Sequence, residues 1–357
     1  MNKDLLLLGV GGAGVTMARG VTRAFATPMN VHAADTDAAS GGEGDIPFTL
    51  IGGSRLAGRG SGGQPAEARA AFEDDPGILD SVFDGIRTCV VLAALGGGTG
   101  GGATGGILKR LHARGVSTLL FATLPFSFEG ADRERAAKSE AATLAREADV
   151  SVFLPFDDLV TGIDNMSDAL RQAHDVVSSG VTLLWRLLEK PGYLRLDPER
   201  LHSAIVGAGR ARFAAASASG DDRVNTVLAS LAASPLLART NGATPVRTIL
   251  TGVLAGDDLR LSEVAAVASG LSAAFGPGAK LEIGTVNDEQ TFSGRLAVCV
   301  LLFEESPAVP TQPASRTTAS RSPLAVHDRF CKTDKTIWEG EDLDIPTYLR
   351  RNLTLER

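Results

Sequence analysis

Residues 88–102 read Thr-Cys-Val-Val-Leu-Ala-Ala-Leu-Gly-Gly-Gly-Thr-Gly-Gly-Gly. An apolar run of strand length, Thr88 to Leu95, empties into seven residues of which only Thr99 is not glycine. Ile107, Leu108 and Leu111 then recur at helical spacing. Strand, glycine loop and helix in that order describe a cradle for an anion. Glycines let the backbone approach a phosphate closely, and the first N–H groups of the following helix face it with the positive end of the helix dipole. Thr99 adds a hydroxyl donor. A flexible linker is the alternative for so many glycines, but linkers are not bounded by a buried strand and an amphipathic helix.

A second glycine loop lies near the start. Leu5-Leu-Leu-Leu8 reads as a first β-strand and runs into Gly9-Val10-Gly11-Gly12-Ala13-Gly14, which fits G-x-G-x-x-G, with Asp35 and Asp37 at about the distance where a dinucleotide fold holds a ribose. Alone, this would favour a nicotinamide oxidoreductase. That scheme has no use for the loop at 96–102, so a nucleoside triphosphate on two loops is the better reading. The chain lacks G-x-x-x-x-G-K-S/T, which excludes a lysine-bearing P-loop. Phosphate charge is then met by backbone N–H groups, helix dipoles and a bound Mg²⁺.

Outward from the two loops, apolar runs at 5–10, 29–34, 88–95, 117–124 and 150–155 alternate with Ala-rich, charged helical segments, the pattern of βαβ units on a parallel sheet. Ile163, Met166, Ala169, Leu170, Ala173, Val176, Val177, Val181, Leu184 and Leu187 recur at three- and four-residue spacing, which predicts one long, largely buried helix over 161–190, ended by Pro191-Gly192. Residues 200–304 read as helices first and then three strands, 246–253, 279–285 and 294–303, with a helix from about Leu261 between the first two. The fold expected is a Rossmann-like α/β nucleotide domain (1–160), a central helix (161–192) and a smaller α+β domain (193–304). After Glu305 the composition turns to Pro, Ser, Thr and Arg, a disordered linker (305–337), and hydrophobes return in a terminal peptide (338–357) of the kind that orders on docking.

The bulk composition excludes more than it assigns. A formal charge of −7 over 357 residues carries no electrostatic footprint for nucleic acid or anionic lipid. No apolar run is long enough to span a bilayer or serve as a signal peptide, and three cysteines, Cys89, Cys299 and Cys331, suit a reducing cytoplasm.

The motifs together resemble the tubulin/FtsZ family, and its FtsZ branch over nearly the whole chain. Gly96-Gly-Gly-Thr-Gly100 resembles the signature G-G-G-T-G-S/T-G, with Gly101 at the Ser/Thr position. Gly9 to Gly14 resembles the first nucleotide loop, Asp35-Thr-Asp37 the N-T-D after the second strand, and Gly60-Ser-Gly-Gly-Gln-Pro65 the loop near the γ-phosphate. Pro125-Phe-Ser-Phe-Glu-Gly130 with Arg133 is similar to P-F-x-F-E-G-x-x-R, and Asp168-Ala-Leu-Arg-Gln-Ala-His-Asp175 to D-A-F-x-x-A-N-D. Ser219-Gly-Asp-Asp-Arg223, Ser234-Pro-Leu-Leu237 and the tail Asp342–Arg351 match as well.

The resemblance implies a GTP/GDP site contacted by Gly11, Gly12, Ala13, Asp37, Gly62, Gly63, Gly96, Gly97, Gly98, Thr99, Gly100, Glu129, Arg133, Phe156 and Asp175. Glu129 would bind ribose, Arg133 the phosphate end and Asp175 guanine. Two carboxylate oxygens suit the N1–H and N2–H₂ donors of guanine, and a buried carboxylate left unpaired rejects adenine. Mg²⁺ would be held by phosphates and water, with no metal ligand assigned on the protein. The resemblance further implies head-to-tail filaments of the chain with itself, a heterologous open interface. It also implies a membrane adaptor of the FtsA, ZipA or SepF kind on Asp342–Arg351.

Several positions depart from the family. Its activating pattern N-x-D-x-x-D reads Arg195-Leu-Asp197-Pro-Glu-Arg200 here, leaving Asp197 and the neighbouring Glu199 as catalytic candidates. Replacing a water-activating carboxylate by a guanidinium removes a base that typically contributes ~10²–10⁴-fold, so slow hydrolysis is expected. The chain would then be either a weak GTPase or a GTP-holding paralogue that co-assembles with another FtsZ. Leu170 replaces the stacking Phe of the central helix, and Phe156 stands at an Asn position. Phe156 either covers the base in its place or packs in the core. Thr16 replaces an Asn after the first loop.

Overall fold

The computed structural model describes residues 4–25, 29–42, 45–160, 162, 165–189, 192–196, 202, 204–238 and 245–304, and the backbone of 337–338 and 341–342. The strands are β1 (Leu5–Val10), β2 (Val31–Asp35), β3 (Phe48–Leu50), β4 (Thr88–Ala94), β5 (Ser117–Leu124), β6 (Val150–Pro155), β7 (Gly209–Ser219), β8 (Val246–Ala255), β9 (Lys280–Asn287) and β10 (Arg295–Glu304). The longer helices are α1 (Gly11–Thr22), α2 (Pro65–Glu73), α3 (Thr104–Ala113), α4 (Ala131–Glu147), α5 (Met166–Glu189), α6 (Arg223–Ala233) and α7 (Leu261–Phe275).

All ten strands join one mixed sheet in the order β3-β2-β1-β4-β5-β6-β7-β10-β8-β9. Strands β1 to β6 pair in parallel, as βαβ crossovers require. β10 lies antiparallel to β7 and β8, and β8 pairs in parallel with β9. The chain winds outward in opposite directions from β1 and β4, so the crevice beyond their carboxyl ends is the topological switch point where open α/β sheets bind ligands. Both glycine loops leave from there.

Alternation along the strands feeds two cores. Leu5, Leu7, Val90, Leu92, Phe121 and Val152 face α1 and α5, and this core continues through Leu250, Cys299, Leu301 and Phe303. Leu6, Leu8, Val91, Leu120 and Ala122 face α2, α3 and α4. Behind β7 to β10, a third core joins Ile249, Val298 and Val300 to Val227, Leu231, Val267 and Leu271 of α6 and α7. Cys89 and Cys299 are free and buried, and burial pushes the Cys299 thiol up to about 12, which leaves it inert.

The expected strands at 5–10, 88–95, 117–124, 150–155 and the three after 246 are present, and the long helix runs from Met166 to Glu189. β7 differs, because residues 209–219 fall in a stretch expected to be helical. Alanines make that stretch look helical, but packing decides otherwise. The Phe213 ring lies 2.7 Å from where a Cβ on Gly180 of α5 would sit, so the strand packs its aromatic side chain directly against the bare backbone of the central helix. The short strand β3 was also not expected. Among the described residues no helix is long and apolar enough to cross a membrane. The tail at 338–357 lies outside the described residues except for a two-strand antiparallel pair, Ile337–Trp338 with Glu341–Asp342, and the linker at 305–337 lies outside them up to that pair.

Candidate functional site

A cavity of about 430 Å³ lies beyond the carboxyl ends of β1, β2 and β4. Gly11, Gly12 and Ala13 of the first loop, Asp37, Gly62 and Gly63, and Gly97, Gly98, Thr99 and Gly100 of the second loop all line it, with Arg133 at its rim. The walls are mostly backbone. That architecture demands glycine at specific points. Gly11 has φ +74, and a Cβ there would lie 3.0 Å from the Gly100 nitrogen, so the two loops meet main chain to main chain. A Cβ on Gly14 would overlap the Leu92 carbonyl, and one on Gly100 the Ala94 carbonyl. Helix α1 and the helical turn Thr99–Gly102 that leads into α3 are thereby drawn onto the strand ends, where their first N–H groups have no helical acceptor. Unpaired donors on a concave backbone wall make a site for an oxyanion.

Side chains fasten the loops to each other. The Thr36 and Thr99 hydroxyls share a hydrogen bond of 2.7 Å, and both residues are buried. Asp35, 3% exposed, accepts from the Thr36 N–H at 2.7 Å and the Ser40 hydroxyl at 2.6 Å. Asp37 accepts from the Ala39 N–H at 2.9 Å and keeps its carboxylate at the cavity wall. Gly96 does not line the cavity. Its φ of +77 turns the chain, and its N–H donates to Glu140 at 2.8 Å.

Glu129 accepts from the Phe126 N–H at 2.8 Å and pairs with Arg133 at 2.9 Å, holding the guanidinium beside the cavity. Phe156 is buried: its ring sits 5.0 Å from Phe126 and 5.7 Å from His174, which is the packing alternative. Burial lowers the pKa of His174, and its Nε2 has no hydrogen-bond partner. Asp175 is exposed and lines a separate groove of about 870 Å³ with Asp158, Asp168, Arg171 and Arg186. Burial, and then Asp157 beside it, raises the carboxyl of Asp158. Of the residues expected at the nucleotide, the structure therefore gathers all but Gly96, Glu129, Phe156 and Asp175 on the wall of one cavity.

The two catalytic candidates Asp197 and Glu199, and Arg200, lie outside the described residues. The start of their loop is fixed to β9. Thr285 donates its N–H to the Leu194 carbonyl at 2.8 Å, and it accepts from Gly192 at 2.7 Å and from Leu194 at 2.9 Å. Arg195 is exposed. Among the described residues no cluster of three or more His, Cys, Asp or Glu could hold a metal.

Thr36, Ser40, Arg59 and Ser61 also line the cavity and were not singled out from the sequence. Thr36 had a signal, since it sits between two aspartates already placed at the site. Glu140 had none, because it reaches Gly96 across 44 residues of sequence.

Comparison with known proteins agrees with this geometry. A model of the Tubulin/FtsZ family, GTPase domain, matches residues 4–164. The cell division protein FtsZ of Buchnera aphidicola subsp. Schizaphis graminum is 26% identical over 374 aligned positions, covering 98% of this chain and 97% of its own. FtsZ 1 of Rhizobium meliloti is 30% identical over 313, covering 83% of this chain and 51% of that protein. Among solved structures, an empty FtsZ dimer of M. jannaschii superposes with a TM-score of 0.77 at 23% identity, over 85% of this chain and 88% of that one. CetZ2 of Haloferax volcanii, in a GTPγS-bound protofilament, gives 0.70 at 24%, over 84% and 92%. Residues 4–164 belong to the tubulin/FtsZ family of GTPase domains, and the chain is FtsZ-like.

Proposed function

We propose that this chain binds GTP in the cavity at the ends of β1, β2 and β4 and polymerises head to tail, with the nucleotide enclosed between successive subunits. The observation that carries the reading is the meeting of the two glycine loops at Gly11 and Gly100 on a wall of backbone, which suits a polyphosphate and needs no lysine. Thr99 and Arg133 supply the side-chain contacts to phosphate, the Glu129 carboxylate the ribose contact, and Asp175 the contact that selects guanine. A bound Mg²⁺ would be held mainly by the phosphates and water, with no ligand assigned on the protein, and would offset phosphate charge there.

Hydrolysis at the subunit contact is slow. Asp197 retains one carboxylate of the activating loop, Arg195 and Arg200 replace the other polar groups, and Glu199 is an imperfect substitute one residue out of phase. In the alternative, the chain holds GTP as a structural paralogue and co-assembles with another FtsZ that supplies the missing carboxylate. Asp342–Arg351 docks an adaptor at the membrane, consistent with a role in cell division.

The test is inorganic phosphate release from GTP at rising protein concentration, followed beside sedimentation, with Mg²⁺ present and ATP as control. Release that rises with pelletable polymer supports a working GTPase. Polymer without release supports the paralogue, and neither polymer nor GTP binding overturns the proposal. Arg200→Asp should raise release, roughly tenfold or more, if the loop reading is right.

A further inference from the structure

Glu140 lies behind the phosphate loop and contacts both of its ends. Its Oε2 accepts the Gly96 N–H at 2.8 Å, and its carboxyl group fills the place where a Cβ on Gly101 would sit. The residue is 9% exposed. The family signature puts a serine or threonine at position 101, and this chain has glycine there. A hydroxyl on residue 101 would occupy the space that Glu140 fills, and from there it could accept the same Gly96 N–H. The two arrangements exclude each other on steric grounds and offer the same acceptor.

We infer that Glu140 is the positioning residue of the phosphate loop in this chain: its carboxyl group, reaching in from α4, takes the place of the missing hydroxyl at 101 and fixes Gly96 so that residues 97–100 present their backbone to nucleotide. It touches the loop and not the ligand. Reach and acceptor capacity matter, while charge does not. Burial pushes the carboxyl up, with the Gly96 N–H and Arg69 opposing. Behind the loop, Glu140 and Gly101 line a cavity of about 660 Å³ together with Arg69, Gly102 and Thr143.

The inference rests on GTP binding in the first cavity, so the wild-type Kd for GTP is measured first, by calorimetry with Mg²⁺, and the melting temperature of every variant is recorded beside it. No binding by wild type would sink the functional proposal and leave Glu140 no nucleotide loop to position. If wild type binds, Glu140→Asp, which keeps the charge and shortens the reach, should weaken binding about tenfold, and Glu140→Gln should stay within about threefold of wild type. Gly101→Ser alone should weaken binding by a similar factor because Glu140 blocks it. Gly101→Ser combined with Glu140→Ala should recover to within about threefold, where independent effects would multiply to about a hundredfold loss. Glu140→Asp binding like wild type, Glu140→Gln binding as poorly as Glu140→Asp, or a multiplicative double variant would each overturn the inference. Should Glu140→Ala fail to fold alone, the Asp and Gln pair still decides it.

Discussion

Glycine does different work in the two halves of the sheet. Around β1 and β4 a Cβ would strike backbone: Leu92 carbonyl for Gly14, Ala94 carbonyl for Gly100. Around β8 and β9 it would strike the ends of flexible side chains. On Gly252 it would lie 2.7 Å from a Leu187 methyl and 2.9 Å from the Cys299 sulfur, and on Gly284 2.8 Å from Leu187 and Leu196. In the first half glycine shapes a wall that a ligand can touch. In the second it lets β8 and β9 close onto the central helix, and the neighbours can give way.

The largest effect is expected where the halves are joined. Arg186 on α5 donates to Asp288 at 2.7 Å and to the Ala24 carbonyl at 2.8 Å, with its guanidinium over the rings of Phe25 and Phe292. Both members of the ion pair are nearly buried. Arg186→Met keeps helix propensity and bulk but removes the nearly buried ion pair with Asp288 and the bond to the Ala24 carbonyl, so stability should fall by about 3–5 kcal/mol in urea unfolding. A loss below 1 kcal/mol would mean that the halves are held by apolar contact alone.

Gly14→Ala and Gly252→Ala set the halves directly against each other. The first should cost about 3 kcal/mol and abolish measurable GTP binding, since neither α1 nor β4 can yield to the methyl. The second should cost about 1 kcal/mol and leave GTP affinity unchanged, since Leu187 can rotate away. Equal penalties, or lost affinity in the second variant, would break the distinction. Between these two lies Thr36→Val, which removes one hydroxyl from the buried pair with Thr99. Unfolding should register about 1–2 kcal/mol, with GTP affinity reduced because the segment after β2 loses its side-chain hydrogen bond to the second glycine loop.

The same contrast explains what could be read from the sequence. Glycine runs bounded by apolar strands are local signals, so β1, β4, both loops and the cavity they form were legible. β7 was not, because five alanines speak for helix until Phe213 and the antiparallel register with β10 are known. The base side was legible only by resemblance: Phe156 proves to be packed against Phe126 and His174, a neighbourhood assembled from three separate segments. Glu140 belongs to the same class. A side chain that supports a loop from 44 residues away leaves no spacing to find.

The second half, with fewer backbone-built features, ties its helices through charge, and this yields the smallest effect. Arg223 on α6 grips Glu263 on α7 with two bonds, at 2.7 and 2.9 Å, and takes Asp258 at 2.6 Å. The hydrogen bonds from Arg223 hold the Glu263 carboxyl below its ordinary value of 4.5, with burial opposing and the Arg260 N–H assisting. A carboxyl lowered on folding contributes stability in full above its unfolded value, and the contribution disappears as pH falls through its native value. The unfolding free energy of wild type minus that of Glu263→Gln should therefore be positive and constant between pH 7 and pH 5, and should shrink as pH falls below 4.5. Subtraction cancels the carboxylates that do not share Arg223, including those around the cavity. A difference that stayed flat to pH 3 would mean that Arg223 is held by Asp258 alone, and that α6 and α7 are joined by their apolar faces.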